Sequence, residues 1–361
     1  MAGPVTGKRR FLNISLAIGI SGAALFFALR HVSLRSLGHI LWKGHYGWLL
    51  PATLLLFAIY GVRALFWRQT LSVTRKVSYP SLYASVVVGF MANSILPFRA
   101  GEMVRALYAR RLENLPLPLL LSTILIERLF DLLSLSLLLF LYLVSGGQGI
   151  GGKSAWIIGG TVVLFLGLSA LVYGRLLVVR FLERTLLPLA RGHRLAKKLV
   201  LTAEQALLGF SSITSPVLLF RLFLTSLAIW SLTLLLTWFT LITFDVTQSP
   251  VRVTLAFLVF TNLAMLIPSS PGGIGVFQLA AVYALSPFHV PADRAVALSL
   301  VNQALVISVT GILGYIFVTR SHVSLAAMQS QALEMEEKEE SLRESASSSP
   351  AGGSPDTPRP R

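Results

Sequence analysis

Residues 93–105 read NSILPFRAGEMVR and interrupt one of several long apolar runs. A helix breaker (Pro97), a glycine (Gly101), an acid (Glu102) and two arginines (Arg99, Arg105) stand at or near membrane depth. A bilayer penalises unpaired backbone groups and charges, so a chain that keeps them there generally uses them. Two further interruptions follow. Glu127, Arg128 and Asp131 lie inside a second apolar run, and residues 268–275, PSSPGGIG, break a third. Together they point to a polar path or pocket inside a helix bundle.

Composition agrees. The 361 residues are 54% hydrophobic and 13% charged, against about 25% charged in soluble domains. Apolar runs recur from residue 11 to residue 319, so the fold class is an all-α polytopic membrane protein. Cysteine is absent, which removes disulfides, thiolate metal sites and a cysteine nucleophile. The net charge of +16 first suggests nucleic acid. Lys and Arg also gather on the cytoplasmic side of membrane proteins, against anionic headgroups, and that explanation is the stronger. No nucleic-acid partner, cofactor or metal is expected. The histidines form no H-x-x-x-H pair, no G-x-S-x-G elbow occurs, and Gly147-x-Gly149-x-x-Gly152 lacks the strand a dinucleotide fingerprint needs.

Runs long enough to span, about 20 residues each, lie at 11–29, 48–70, 118–144, 154–174, 217–244 and 295–318. Two more, 80–98 and 252–287, are apolar but broken by Pro and Gly. Trp48 and Trp67 fall near span ends, where amphipathic rings favour the interface; Trp230 and Trp238 fall mid-span and read as packing residues. The basic clusters at 8–10, 68–76, 99–111 and 175–198 should all be cytoplasmic. That holds only if 80–98 is re-entrant, returning to the cytoplasm near Pro97. The same reasoning makes 252–287 a second broken hairpin entering from the opposite face. The expectation is about six full spans and two re-entrant hairpins in a multi-pass protein of the cytoplasmic (inner) membrane, both termini inside. The two broken segments look alike: Asn93, Pro97, Gly101 and Glu102 in one; Asn262, Pro268, Pro271, Gly272, Gly273, Gly275 and Gln278 in the other. Each precedes a span with polar residues, which makes them candidates for an inverted repeat with discontinuous helices. Residues 1–10 read as a basic cytoplasmic start and 11–320 as the membrane domain. Within it, 176–215 reads as a basic amphipathic segment, and 321–361 reads as a disordered tail.

Glu127 and Asp131 share a helix face, and Arg128 is three residues from Asp131. Two readings stand: a salt-bridge cluster that locks helices together, or a polar lining that binds a headgroup or carries a proton. Glu102 and Arg105 are one turn apart, and Arg99 with Arg105 would clamp a lipid phosphate through their forked donors. Arg63, inside a span, either snorkels or pairs. Backbone N–H groups freed at 268–273 would form an anion site ahead of a new helix at Ile274, unless the segment is a plain turn.

The patterns N-x-x-L-P-x-R-x-G-E-x-x-R at 93–105, E-R-x-x-D at 127–131 and P-x-x-P-G-G-x-G at 268–275 resemble the signatures of the lysylphosphatidylglycerol synthetase transmembrane family, also described as flippase-like. The resemblance covers roughly residues 11–320. It implies translocation of an aminoacylated phospholipid or related lipid, by a stand-alone membrane unit without the fused aminoacyltransferase. Gln278 stands where relatives are expected to carry an acid. The expected partners are membrane lipids, with a lipid-modifying enzyme as a further candidate. No catalytic centre is expected. The alternative is a non-transporting scaffold for lipid, glycolipid or hopanoid biosynthesis enzymes.

Overall fold

A computed structural model describes residues 19–30, 32–72, 74–96, 100–146, 215–267 and 270–321, with isolated positions between 159 and 166. The basic start, the 176–215 segment, the tail, Pro97, Arg99 and Pro268 lie outside the described residues, as does most of the expected span 154–174. Among the described residues every regular element is helical. α1 covers Gly19–Leu29, α2 Leu34–Lys43, α3 Leu49–Leu71, α4 Tyr79–Ile95, α5 Gly101–Glu113, α6 Leu117–Val144, α7 Pro216–Ile242, α8 Pro250–Ala264, α9 Val276–Leu285 and α10 Ala292–Arg320.

Local chemistry sets the boundaries. Prolines occupy the first turn of α4, α6, α7 and α8, where their missing N–H costs nothing. α5 ends on Asn114 in the left-handed region, with Arg110 and Arg111 in its last turn. Buried hydroxyls bond carbonyls of the preceding turn, as Thr70 does to Phe66 (2.9 Å) and Thr240 to Leu236 (3.0 Å), so these two sit in an apolar bundle with their donors satisfied. The stretch 30–46, between two of the expected spans, holds α2. Its Leu37, Ile40 and Leu41 pack on the core while Trp42 stays exposed.

Residues 46–71, α7 and α10 are long and apolar enough to cross a membrane. α6 has 28 residues, about 42 Å at 1.5 Å per residue, but carries three charges mid-helix.

α4 and α5 form a tight antiparallel hairpin. Gly89 faces Arg105, and Asn93 reaches Gly101, whose N–H donates to Asn93 Oδ1 at 2.9 Å. A Cβ on Gly101 would overlap the Gly89 carbonyl and the Asn93 side chain, so only glycine permits this approach. Here the structure corrects the sequence reading. Residues 79–95 make one unbroken limb, and the return limb is α5, the basic stretch assigned to a cytoplasmic loop. Of its charges, Glu102 and Arg105 are paired within the bundle, while Arg110 and Arg111 are exposed. α8 and α9 form the second hairpin through the broken stretch that contains Pro271, Gly272 and Gly273.

The packing is two-fold. α4 packs on α5 as α8 packs on α9; α3 on α4 as α7 on α8; α5 on α6 as α9 on α10; α4 on α10 as α8 on α6; and α3 on α10 as α7 on α6. The units α3–α6 and α7–α10 thus exchange under a pseudo-dyad, and α3 packs on its own counterpart α7. That contact is antiparallel. Trp48 stacks on Phe239 at one end (5.8 Å between ring centroids), while Thr225 Oγ1 donates to Gln69 Oε1 at the other (3.2 Å). Counterparts that run antiparallel place the dyad across the helices, which is the geometry of an inverted repeat. The hairpin tips adjoin: a Cβ on Gly272 would lie 3.7 Å from the Ser94 carbonyl oxygen.

Candidate functional site

The first unit gathers its charges where α3, α5 and α6 meet. Glu127 and Asp131, one turn apart on α6, face Arg63 of α3. Arg63 Nη1 lies 2.8 Å from Glu127 Oε1 and 3.1 Å from Asp131 Oδ2. Arg105 of α5 reaches the other Glu127 oxygen at 2.8 Å. Arg128 contacts Asp131 at 3.0 Å, Glu127 at 3.5 Å and Glu102 of α5 at 3.2 Å. Three arginines (63, 105, 128) meet three carboxylates (102, 127, 131), so the cluster is neutral. Neutrality makes burial tolerable, since an unpaired ion there would cost several kcal/mol.

Aromatic groups complete it. The Arg105 guanidinium lies 4.0 Å from the Trp67 ring centroid, and Trp67 Nε1 donates to Thr123 Oγ1 at 2.8 Å. Arg63 sits over Phe90 at 5.5 Å. Trp230 Nε1 of α7 donates to Asp131 Oδ1 at 3.0 Å and ties the second unit to the cluster.

Exposure divides the cluster. Side-chain exposure is 1% for Glu127 and 3% for Arg105, but 29% for Arg128 and 32% for Glu102. Arg105 is therefore sealed between Glu127 and Trp67 and is not open to clamp a phosphate, contrary to the sequence reading. Arg128 and Glu102 form the rim.

The second unit closes with amides. Gln278 Oε1 accepts from the Gly275 N–H (2.6 Å), Gln278 Nε2 donates to Gln303 Oε1 (2.7 Å), and Gln303 Nε2 donates to the Gly272 carbonyl (2.6 Å). The Gly273 N–H donates to Ser270 O, and the Ser270 N–H to Ser21 Oγ of α1. Two of the N–H groups expected to bind an anion, those of Ser270 and Gly273, are thus spent within the protein, and the helix begins at Val276 rather than Ile274. Gly275, at φ +92, faces the Ser21 carbonyl so closely that a Cβ would collide with it. Asn262 donates to Leu258 O of its own helix (2.8 Å), so it does not repeat the role of Asn93.

Of the residues singled out from sequence, Glu102, Arg105, Glu127, Arg128 and Asp131 come together, with Asn93 and Gly101 shaping the hairpin beside them. Pro271, Gly272, Gly273, Gly275 and Gln278 form a separate closed tip. The sequence reading left Arg63 unassigned, placed Trp67 at an interface where it is fully buried, gave Trp230 a packing role only, and gave Gln303 no role. Charge parity was the available signal for Arg63: two buried acids on one α6 face need more cation than Arg128 alone.

Residues 14–314 match the family described as lysylphosphatidylglycerol synthase TM region. The chain belongs to this family. It is accordingly a membrane protein, in keeping with its apolar helices. Glycosyltransferase AglD of Haloferax volcanii is similar to it, 26% identical in an alignment of 302 positions that covers 73% of this chain and 47% of that protein. The chain thus spans about half the length of that relative.

Proposed function

We propose that this chain translocates a lipid with a charged headgroup, an anionic or aminoacylated phospholipid or a related lipid-linked group, across the cytoplasmic membrane. One observation carries the reading: a charged cluster beside the tip of a broken hairpin, in a bundle built as an inverted repeat, with part of its rim open. Inverted repeats with discontinuous helices near mid-membrane are the architecture of alternating access. In this reading α4/α5 and α8/α9 are re-entrant from opposite faces, about six helices span, and both termini are cytoplasmic. The headgroup meets Arg128 and Glu102 while the acyl chains stay in the bilayer. The chain works as a transporter rather than an enzyme, with membrane lipids as its partners.

The test is translocation of acyl-labelled phospholipids by purified protein in liposomes. Arg128→Ala is expected to slow movement at least about tenfold while leaving the helical content intact. An unchanged rate overturns the reading.

A second reading has its own support. The cluster is internally neutral, as a structural lock would be, and the similarity to AglD suits a membrane unit that works beside a lipid- or sugar-transferring enzyme. Deleting residues 326–361 separates the two: a scaffold loses its enzyme partner, whereas a translocator keeps its rate.

A further inference from the structure

We infer that the Glu102–Arg128 pair is a docking point for a lipid headgroup of net zero charge, carrying one phosphate and one primary ammonium. The inference rests on the translocation reading for what happens after binding; the docking site stands on three observations of its own.

The first is the charge balance. Among the described residues the cluster holds Arg63, Arg105 and Arg128 against Glu102, Glu127 and Asp131, and every guanidinium is within 3.5 Å of a carboxylate. A ligand bringing a lone negative charge would leave one carboxylate without its cation in a poorly solvated place, and a lone positive charge would do the same to an arginine. A ligand bringing both signs exchanges one pair for two. Arg128 turns from Glu102 to the phosphate, and Glu102 accepts hydrogen bonds from the ammonium, which has three donors to give.

The second is that, among the described residues of the cluster, this pair alone is partly exposed on both sides. Arg63 and Arg105 are enclosed, whereas Arg128 and Glu102 are each about a third exposed. Their contact is also incomplete. Arg128 Nε lies 3.2 Å from Glu102 Oε1 but makes no hydrogen bond, although the atom itself is shielded from solvent. A phosphate oxygen in line with that N–H gains a charge-assisted bond that Glu102 does not supply.

The third is where the rim points. Leu121, Leu125, Arg128 and Leu132 follow one stripe of α6 at helical spacing, none of them fully buried, and Leu125 is 51% exposed. Arg128 is the charged position on an apolar, outward face. A lipid lying along that stripe brings its headgroup to Arg128 from within the bilayer, whereas a free soluble zwitterion lacks chains to use the leucines.

Binding and transport are measured separately on the full chain. In detergent micelles, affinity is measured for lipids of identical chains with phosphoethanolamine, phosphoglycerol or lysine-esterified phosphoglycerol headgroups, and for free phosphoethanolamine. The expected result is a preference of at least about tenfold for the phosphoethanolamine lipid over the net-anionic and net-cationic ones, with free phosphoethanolamine bound far more weakly. Glu102→Gln should abolish or invert that preference toward phosphoglycerol, because three arginines then face two carboxylates. Equal affinity for all headgroups, or a preference that survives Glu102→Gln, overturns the inference. Free phosphoethanolamine binding as tightly as the lipid overturns the lateral lipid source. Selective binding without translocation in liposomes supports the site and overturns the transport reading; translocation without headgroup preference does the reverse.

Discussion

Glu127 is the residue on which the cluster turns. One carboxylate oxygen faces Arg63 and the other Arg105, each at 2.8 Å, and it is almost fully enclosed. Glu127→Gln keeps the shape and removes the charge, leaving Arg63 and Arg105 facing an uncharged amide. Breaking a buried pair by removing one partner costs about 3–5 kcal/mol. Glu102→Gln, at the partly exposed rim, leaves Arg128 its contact with Asp131 and should cost less. Thermal unfolding in detergent checks the contrast: a large drop in midpoint for Glu127→Gln and a small one for Glu102→Gln. Equal drops would mean that the exposure difference carries no energy. At this scale the acids were legible, because two carboxylates at helical spacing in an apolar run demand burial with partners. Arg63 was not, because it pairs across 64 positions of sequence, and only the α3–α6 contact brings them together. Trp67 was misread because a ring near a span end looks alike whether it meets headgroups or, as here, a guanidinium from a neighbouring helix.

At the scale of elements, close helix approach is set by glycines, and α10 offers an internal control. A Cβ at Gly314 would press on Met91 of α4, while one at Gly311, a turn earlier, meets nothing within 4 Å. Gly314→Ala should therefore loosen the α4–α10 contact and destabilise by about 1–3 kcal/mol. Gly311→Ala should be neutral or slightly stabilising, since alanine is favoured over glycine inside helices by about 1 kcal/mol. The unfolding midpoints of the two variants, compared side by side, decide whether the α4–α10 packing is as described. The sequence reading placed a hairpin within 80–98, returning near Pro97, whereas the structure makes Tyr79–Ile95 a single limb and Gly101–Glu113 the return. The course of its return limb was hidden, because residues 105–111 are basic and basic stretches ordinarily mark loops. The limb goes inward because Arg105 finds Glu127 and Trp67 there.

Across the described residues, the same contacts recur in α3–α6 and α7–α10, with α3 antiparallel to α7, the pattern an inverted repeat produces. The likeness of the broken segments hinted at this, but their residues have diverged: arginine–carboxylate pairs hold the first unit, and an amide chain holds the second. Sequence comparison loses such a repeat because the bundle preserves helix contacts rather than residue types. The membrane reading requires the two hairpins to enter from opposite faces and stop short of the far side. The chain has no cysteine, so single introduced thiols report without background. The most direct measurement is labelling by a membrane-impermeant maleimide in sealed, oriented vesicles, applied to Ser78→Cys and Arg111→Cys at the base of the first hairpin, Ala100→Cys at its tip, and Thr247→Cys and Ser286→Cys at the base of the second. The account predicts that positions 78 and 111 label from the cytoplasmic face, that 247 and 286 label from the other face, and that 100 is not reached from that other face. Labelling of 100 from the side opposite 78 and 111, or of all four base positions from one side, would contradict it.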